Sequence, residues 1–329
     1  MTATAELGRS LTGGDRRALA KAITLIESTR PEDRAAAREL LGLLAPTTST
    51  DTLRVGVTGV PGAGKSTLID VLGMQAIRAG SRVAVLAVDP SSRQSGGSVL
   101  GDKTRMSRLA AERSAYVRPS PTLGVLGGIA ARTREAVCLC EAAGFDLIFV
   151  ETVGVGQSEE RVASLVDSVL LVLLAGAGDE ISSMKRGVLE AADLIAFNKA
   201  DGERLSAVNG DAAALRTSLT VSRAEQTPPV LVVSAQDGTG VRELWESLRA
   251  QHRQALASGA FRERRARQRF EWFESAVEEA LRAALANHPG LILARRDAEA
   301  AIVAGSATPW EAAQRLVSAL LPGAEDSDS

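Results

Sequence analysis

The chain has 329 residues, is 45% apolar and 24% charged, and carries a formal net charge of −2. These values suit a globular core of about 200–250 residues with appendages, and the near-neutral balance excludes a general electrostatic pull toward nucleic acid or an anionic membrane. No basic stretch followed by an apolar run opens the sequence, and no apolar run approaches the ~20 residues of a membrane span, so a cytoplasmic protein with neither nucleic-acid nor membrane partner is expected.

Residues 15–45 read as helix. Leu19, Ile23, Ile26, Leu40 and Leu44 stand among charges, and Pro31 starts a new helix after Ser28-Thr29. Pro46-Thr47-Thr48-Ser49-Thr50 reads as a linker. From residue 53 short β-branched runs alternate with longer helical stretches. The predicted strands are 54–58, 82–88, 146–151, 168–174, 194–198 and 230–234. Several are apolar throughout, as strands covered on both faces are. The alternation predicts an α/β fold with a doubly wound, mostly parallel sheet and ligands at the carboxyl ends of its strands. After about residue 256 no strand is predicted. A charged helix over 261–286 carries Phe270, Phe273, Val277 and Leu281, further helices follow, and the acidic tail after Pro322 is expected to be disordered. The predicted division is a helical extension over 1–50, a core over 51–256 and a helical arm over 257–329. The arm's apolar stripe is expected to meet a second subunit or its own core.

Chemistry enters at Gly59-Val60-Pro61-Gly62-Ala63-Gly64-Lys65-Ser66, between a strand and the helix opened by Ser66-Thr67. This is the P-loop pattern in the context it requires. Backbone N–H groups of Gly62, Ala63, Gly64 and Thr67 converge on phosphate oxygens at a helix N-terminus. Lys65 reaches the β- and γ-phosphates, and the Ser66 hydroxyl is a ligand for Mg²⁺. Only five of the 38 basic residues are lysine, namely Lys21, Lys65, Lys103, Lys185 and Lys199. A lysine kept in so arginine-rich a chain marks places where a compact ammonium is needed.

Asn198-Lys199-Ala200-Asp201 follows an apolar strand. Asp201 can accept hydrogen bonds from guanine N1–H and its 2-amino group. Adenine offers neither donor, so GTP and GDP are the expected nucleotides. Lys199 packs along the base, Asn198 holds neighbouring loops, and Ser234-Ala235-Gln236 presents a backbone N–H to guanine O6. Asp89 ends the second predicted strand and Glu151 the third; each can hold Mg²⁺ through water or orient the attacking water. Gly154 can donate its N–H to the γ-phosphate. Residues 93–105, with Asp102 and Lys103, read as a polar loop near the phosphates, and Asp179 with Lys185 as a further loop on the ligand side. Cys138 and Cys140, at i and i+2 on a helix, suit neither a disulfide nor a metal pair.

Together Gly59 to Thr67, Val88-Asp89-Pro90-Ser91-Ser92, Val150-Glu151-Thr152-Val153-Gly154-Val155-Gly156-Gln157-Ser158-Glu159, Gly176-Ala177-Gly178-Asp179-Glu180 and Asn198-Lys199-Ala200-Asp201 resemble the MeaB/ArgK family. These are P-loop GTPases that serve adenosylcobalamin-dependent methylmalonyl-CoA mutase as chaperones. The resemblance runs over most of the chain. It implies slow GTP hydrolysis accelerated by the mutase, gated delivery of the cofactor, rescue of the inactivated enzyme, and a homodimer through the C-terminal arm. By position, Lys65, Ser66, Asp89, Asp102 and Glu151 match phosphate, Mg²⁺ or catalytic residues. Asn198, Lys199 and Asp201 match the base site, and Asp179 with Lys185 a partner-responsive switch loop. Gln236 stands where GTPases often carry lysine. Other readings stay open. A metal-insertion GTPase of nickel-enzyme maturation would want Cys/His ligands near the nucleotide. A transport-linked ATP-using kinase meets the objection of Asp201, and a non-enzymatic scaffold that of the complete phosphate and Mg²⁺ set.

Overall fold

In the computed structural model of the chain, which describes residues 2–45, 51–88, 106–120, 126–152, 162–176, 186–222 and 227–318, the β-branched runs form seven strands. They are β1 (Leu53–Gly59), β2 (Val83–Val88), β3 (Ala115–Ser120), β4 (Leu147–Thr152), β5 (Ser168–Leu173), β6 (Leu194–Phe197) and β7 (Val230–Val232). All pair in parallel, in the order β3-β2-β4-β1-β5-β6-β7. The first strand is therefore central: the chain runs through β2 to the edge at β3, returns to insert β4 beside β1, then crosses to β5 and runs out to β7, the doubly wound arrangement that places a ligand at the carboxyl ends near the reversal.

Among the described residues are twelve α-helices: α1 (Ala3–Thr12), α2 (Arg16–Glu27), α3 (Pro31–Leu44), α4 (Lys65–Arg78), α5 (Ser107–Ala111), α6 (Leu126–Ala142), α7 (Arg186–Ala191), α8 (Leu205–Ser222), α9 (Val241–Ser258), α10 (Ala260–Asn287), α11 (Pro289–Val303) and α12 (Pro309–Ser318). Their starts follow capping chemistry. Asp15 accepts hydrogen bonds from the N–H groups of Arg17 and Ala18 at the start of α2, and Pro31 occupies the first turn of α3.

The chain divides into two compact units, Met1–Ala266 and Arg267–Ser329. In the first, the two-residue period of the strands supplies a core on each face of the sheet. Leu147 and Phe149 of β4 join Val55, Val57, Leu68, Leu72, Leu244 and Trp245 on one side. Ile148 and Val150 join Leu11, Leu19, Ile23, Leu40 and Val137 on the other. The helices of the N-terminal extension thus cover the sheet directly. A third cluster packs Leu171, Leu173, Ile195 and Phe197 against Val208 and Ala212 of α8.

Near the amino ends of β1 and β5 lies a buried ionic hub. Glu141 accepts from Arg54 Nε (2.7 Å), Arg54 Nη2 (2.6 Å) and Arg265 Nη1 (2.8 Å). Asp167 accepts from Arg265 Nε (2.5 Å) and from the backbone N–H of Arg54 (2.8 Å). Each charge has an opposite partner and directed hydrogen bonds, the condition under which buried ions are tolerated.

In the second unit, α11 and α12 pack together and Ala312 is buried. Phe270, Phe273, Val277, Leu281 and Leu285, at helical spacing on α10, are all exposed. Among the described residues no helix is long and apolar enough to cross a membrane.

Three expectations need correction. Strand β3 was not predicted; Ala115-Tyr116-Val117-Arg118-Pro119-Ser120 is short and broken by arginine and proline, which a sheet edge accommodates. Glu151 consequently ends the fourth strand, not the third. Helix α1 was also missed, because its few apolar residues find partners only in the fold, where Leu11 is wholly buried.

Candidate nucleotide site

The carboxyl ends of β1, β4 and β6 bring most of the described candidate residues together. Strand β1 leads into the P-loop, and two glycines there are demanded by space as well as by backbone angle. Gly59 has φ 142°, and a Cβ on it would lie 2.1 Å from the Val172 carbonyl oxygen on β5. Gly64, at φ 83°, precedes α4, and a Cβ there would meet Asn198 Nδ2 at 2.7 Å. The loop is thereby packed closely against β5 and the segment that follows β6, both on the same side of β1. Lys65 is buried, and its ammonium donates to the carbonyls of Gly59 (2.8 Å) and Val60 (3.1 Å).

Parallel register sets Glu151 opposite Val57 of β1 and Ala87 of β2. Its Oε1 accepts a hydrogen bond from Ser66 Oγ at 2.6 Å, the short distance of a hydroxyl on a carboxylate. The chemistry of this pair fits Mg²⁺. Both groups are hard oxygen donors, and Ser66 keeps lone pairs for a cation while its proton is held by Glu151. Among the described residues no group of three or more His, Cys, Asp or Glu side chains is placed to hold a metal.

Asn198, 1% exposed, bridges the two halves of the site. Its Nδ2 donates to the Ala63 carbonyl at 2.8 Å, and its Oδ1 accepts from the Ala235 N–H at 3.1 Å. Lys199 follows with φ 62°, the only non-glycine residue at positive φ among those described. Ser234 Oγ donates to Asp201 Oδ2 (3.2 Å) and accepts from the N–H groups of Gln236 and Asp237 (3.3 Å each). One Asp201 oxygen is thus oriented by Ser234. All three N–H groups of the 234–236 segment are engaged within the protein: Ser234 donates to the Thr239 carbonyl, Ala235 braces Asn198, and Gln236 closes a turn on Ser234. Next to it, the Thr239 N–H on Asp237 holds that carboxyl below its usual 3.8.

Gly62, Ala63, Gly64, Lys65, Ser66, Thr67, Glu151, Asn198, Lys199, Asp201, Ser234, Ala235 and Gln236 all lie at this end of the sheet. Asp89, Asp102, Gly154, Asp179 and Lys185 lie outside the described residues. Asp211 was missed by sequence reasoning. It accepts the Gly176 N–H at 2.6 Å where the chain leaves β5, and nothing in its helical context on α8 signals that role. Cys138 and Cys140 are free thiols; burial pushes Cys138 up to about 11 and Cys140 further still.

Comparison with known proteins agrees with this geometry. The family described as Methylmalonyl Co-A mutase-associated GTPase MeaB matches residues 19–289. A probable GTPase of Mycobacterium bovis is 49% identical over 315 residues, covering 94% of this chain and 93% of the relative. The mouse protein named methylmalonic aciduria type A homolog, mitochondrial, is 41% identical over 321 residues, covering 94% of this chain and 77% of that protein. A solved structure titled LAO/AO transport system kinase superposes with a TM-score of 0.73 at 35% identity, covering 97% of each chain.

Proposed function

This chain belongs to the MeaB family of methylmalonyl-CoA mutase-associated GTPases and is a GTPase, and from that premise we propose that it serves an adenosylcobalamin-dependent methylmalonyl-CoA mutase as a GTP-gated chaperone. It assists loading of the cofactor and protects or reactivates the enzyme. The mutase in the family's description and the mouse relative support the partner. The carrying observation for the chemistry is the Ser66–Glu151 bond beside the buried Lys65. Lys65 binds the β- and γ-phosphates. Bound Mg²⁺ supplies positive charge for the phosphoryl oxygens, and Ser66, Glu151, Asp89 and Asp102 are the residues to hold it or its waters. Asp201, oriented by Ser234, reads the guanine edge, which supports GTP over the ATP of a transport-linked kinase. Asp179 and Lys185 belong to a loop that answers to the partner.

The unit beyond Ala266 acts as a dimerisation arm, a role supported by the exposed stripe from Phe270 to Leu285. Cytoplasmic residence completes the reading. Its test is GTP turnover with and without purified methylmalonyl-CoA mutase. Severalfold or greater acceleration and a stable complex are expected; neither acceleration nor complex would remove the mutase from the account and leave the GTPase standing.

A further inference from the structure

Helix α10 opens against its own chemistry. Arg262, Arg264, Arg265, Arg267 and Arg269 crowd its opening turns beside the single acid Glu263. Cations at the start of a helix oppose its dipole, and the pairs Arg262–Arg265, Arg264–Arg267 and Arg265–Arg269 set like charges one turn apart. Further along, from Arg269 to Ala286, every residue except Trp272 is exposed. Burial therefore contributes little to holding that stretch helical. An unburied helix is limited by its first turn: nucleation is unfavourable by about a factor of 10³, whereas each added residue is nearly neutral.

The ionic hub meets this need. Helix α9 ends at Gly259, whose φ of 84° breaks it from α10. Phe261, next but one, is buried; its ring stands edge-on to His252 (centroids 5.3 Å) and lies 4.8 Å from the guanidinium carbon of Arg265. Arg264 donates to the Asp167 carbonyl and to both carboxylate oxygens of Asp193, at 3.3 Å each. Arg265 is buried and donates to Asp167 (2.5 and 2.7 Å), Glu141 (2.8 Å) and the Thr52 carbonyl (2.9 Å). Carboxylates of the core thus neutralise the charges that disfavour the helix start, and hold its first two turns in place. The first compact unit ends one residue later, at Ala266, while α10 continues to Asn287.

We propose that Arg264 and Arg265, held by Asp167, Asp193 and Glu141, are the nucleus from which α10 propagates, and that this nucleus sets the strength of self-association through the stripe from Phe270 to Leu285. The partner is a second copy of this chain, and the inference rests on the dimerisation role given above to the arm. The stripe's residues share a face only while the segment is helical. Without the nucleus that condition holds in a fraction of the molecules, and apparent affinity falls by that fraction for each of the two chains.

The test compares the full chain with Asp167→Asn/Arg265→Met, which removes both charges of one pair and leaves Arg54 on Glu141, and with the milder Arg264→Ala. Urea unfolding and GDP affinity establish that the core is intact. Sedimentation equilibrium reads the dimer, and amide hydrogen exchange reads residues 270–285 against β1 and α4. The double variant is expected to keep GDP affinity within about twofold of the parent, to exchange amides 270–285 about 10- to 100-fold faster with β1 and α4 unchanged, and to weaken the dimer about tenfold or more. Arg264→Ala is expected to move both readings the same way by less. Folded variants whose exchange over 270–285 and dimer affinity both stay within about threefold of the parent would overturn the proposal. So would faster exchange spread evenly over β1, α4 and α10, the mark of a merely structural hub. A monomeric parent would remove the dimerisation reading; faster exchange confined to 270–285 would then leave the nucleus standing, and unchanged exchange would remove both.

Discussion

Asn198→Ala tests the bridge that makes one site of two loops. The asparagine amide occupies a position 1% exposed and makes two directed hydrogen bonds, to the Ala63 carbonyl and from the Ala235 N–H. Alanine strands both partners. Each buried backbone group left without a partner costs about 1–3 kcal/mol, so the pair costs about 2–6 kcal/mol. That loss divides between folding, since the bonds form whether or not nucleotide binds, and nucleotide affinity, since they set the P-loop against the base-side loop. Titration of a fluorescent guanine nucleotide reads the second part and urea unfolding the first; their sum is expected to fall in this range. At about 1.4 kcal/mol per decade, even half of the middle value in binding weakens GDP more than tenfold. An Asn198→Ala protein with affinity within about threefold and unfolding free energy within about 0.5 kcal/mol of the parent would refute the reasoning.

Two further outcomes concern groups remote from the nucleotide, among them the buried Glu141 and Cys140 and the half-buried Cys138. Glu141→Leu leaves the guanidinium of Arg54 with no opposite charge in the hub and deprives Arg265 of one of its two; removing one partner of a buried ion pair costs about 3–5 kcal/mol, to be read from urea unfolding with GDP affinity unchanged, and a loss under about 1 kcal/mol would contradict the account. With Cys138 pushed up to about 11 by burial, its thiol at pH 8 is ionised about one time in a thousand. A chromogenic disulfide reagent is therefore expected to find neither Cys138 nor Cys140 in the native protein within minutes and both after denaturation; rapid labelling of the native state would show the thiols accessible.

What the sequence by itself determined is what local chemistry determines. The P-loop was legible because its glycines answer backbone demands within a few residues of one another, between an apolar strand and a helix start. The Asn198-Lys199-Ala200-Asp201 run was legible because it directly follows the buried strand β6. Six of the seven strands announced themselves by apolar content, since a strand covered on both faces has little room for polar side chains. The tertiary structure decided the rest. Strand order puts β4 and β5 on either side of β1, and only that order brings Glu151 to Ser66 across 85 residues and Asn198 to Ala63 across 135. It engages the Ala235 N–H with Asn198, 37 residues away. It also makes an edge strand of β3 and gives Asp70 its partner 39 residues away. Hydrogen bonds of this reach leave no periodic trace, because each end satisfies a donor or acceptor that its own neighbours in the chain cannot.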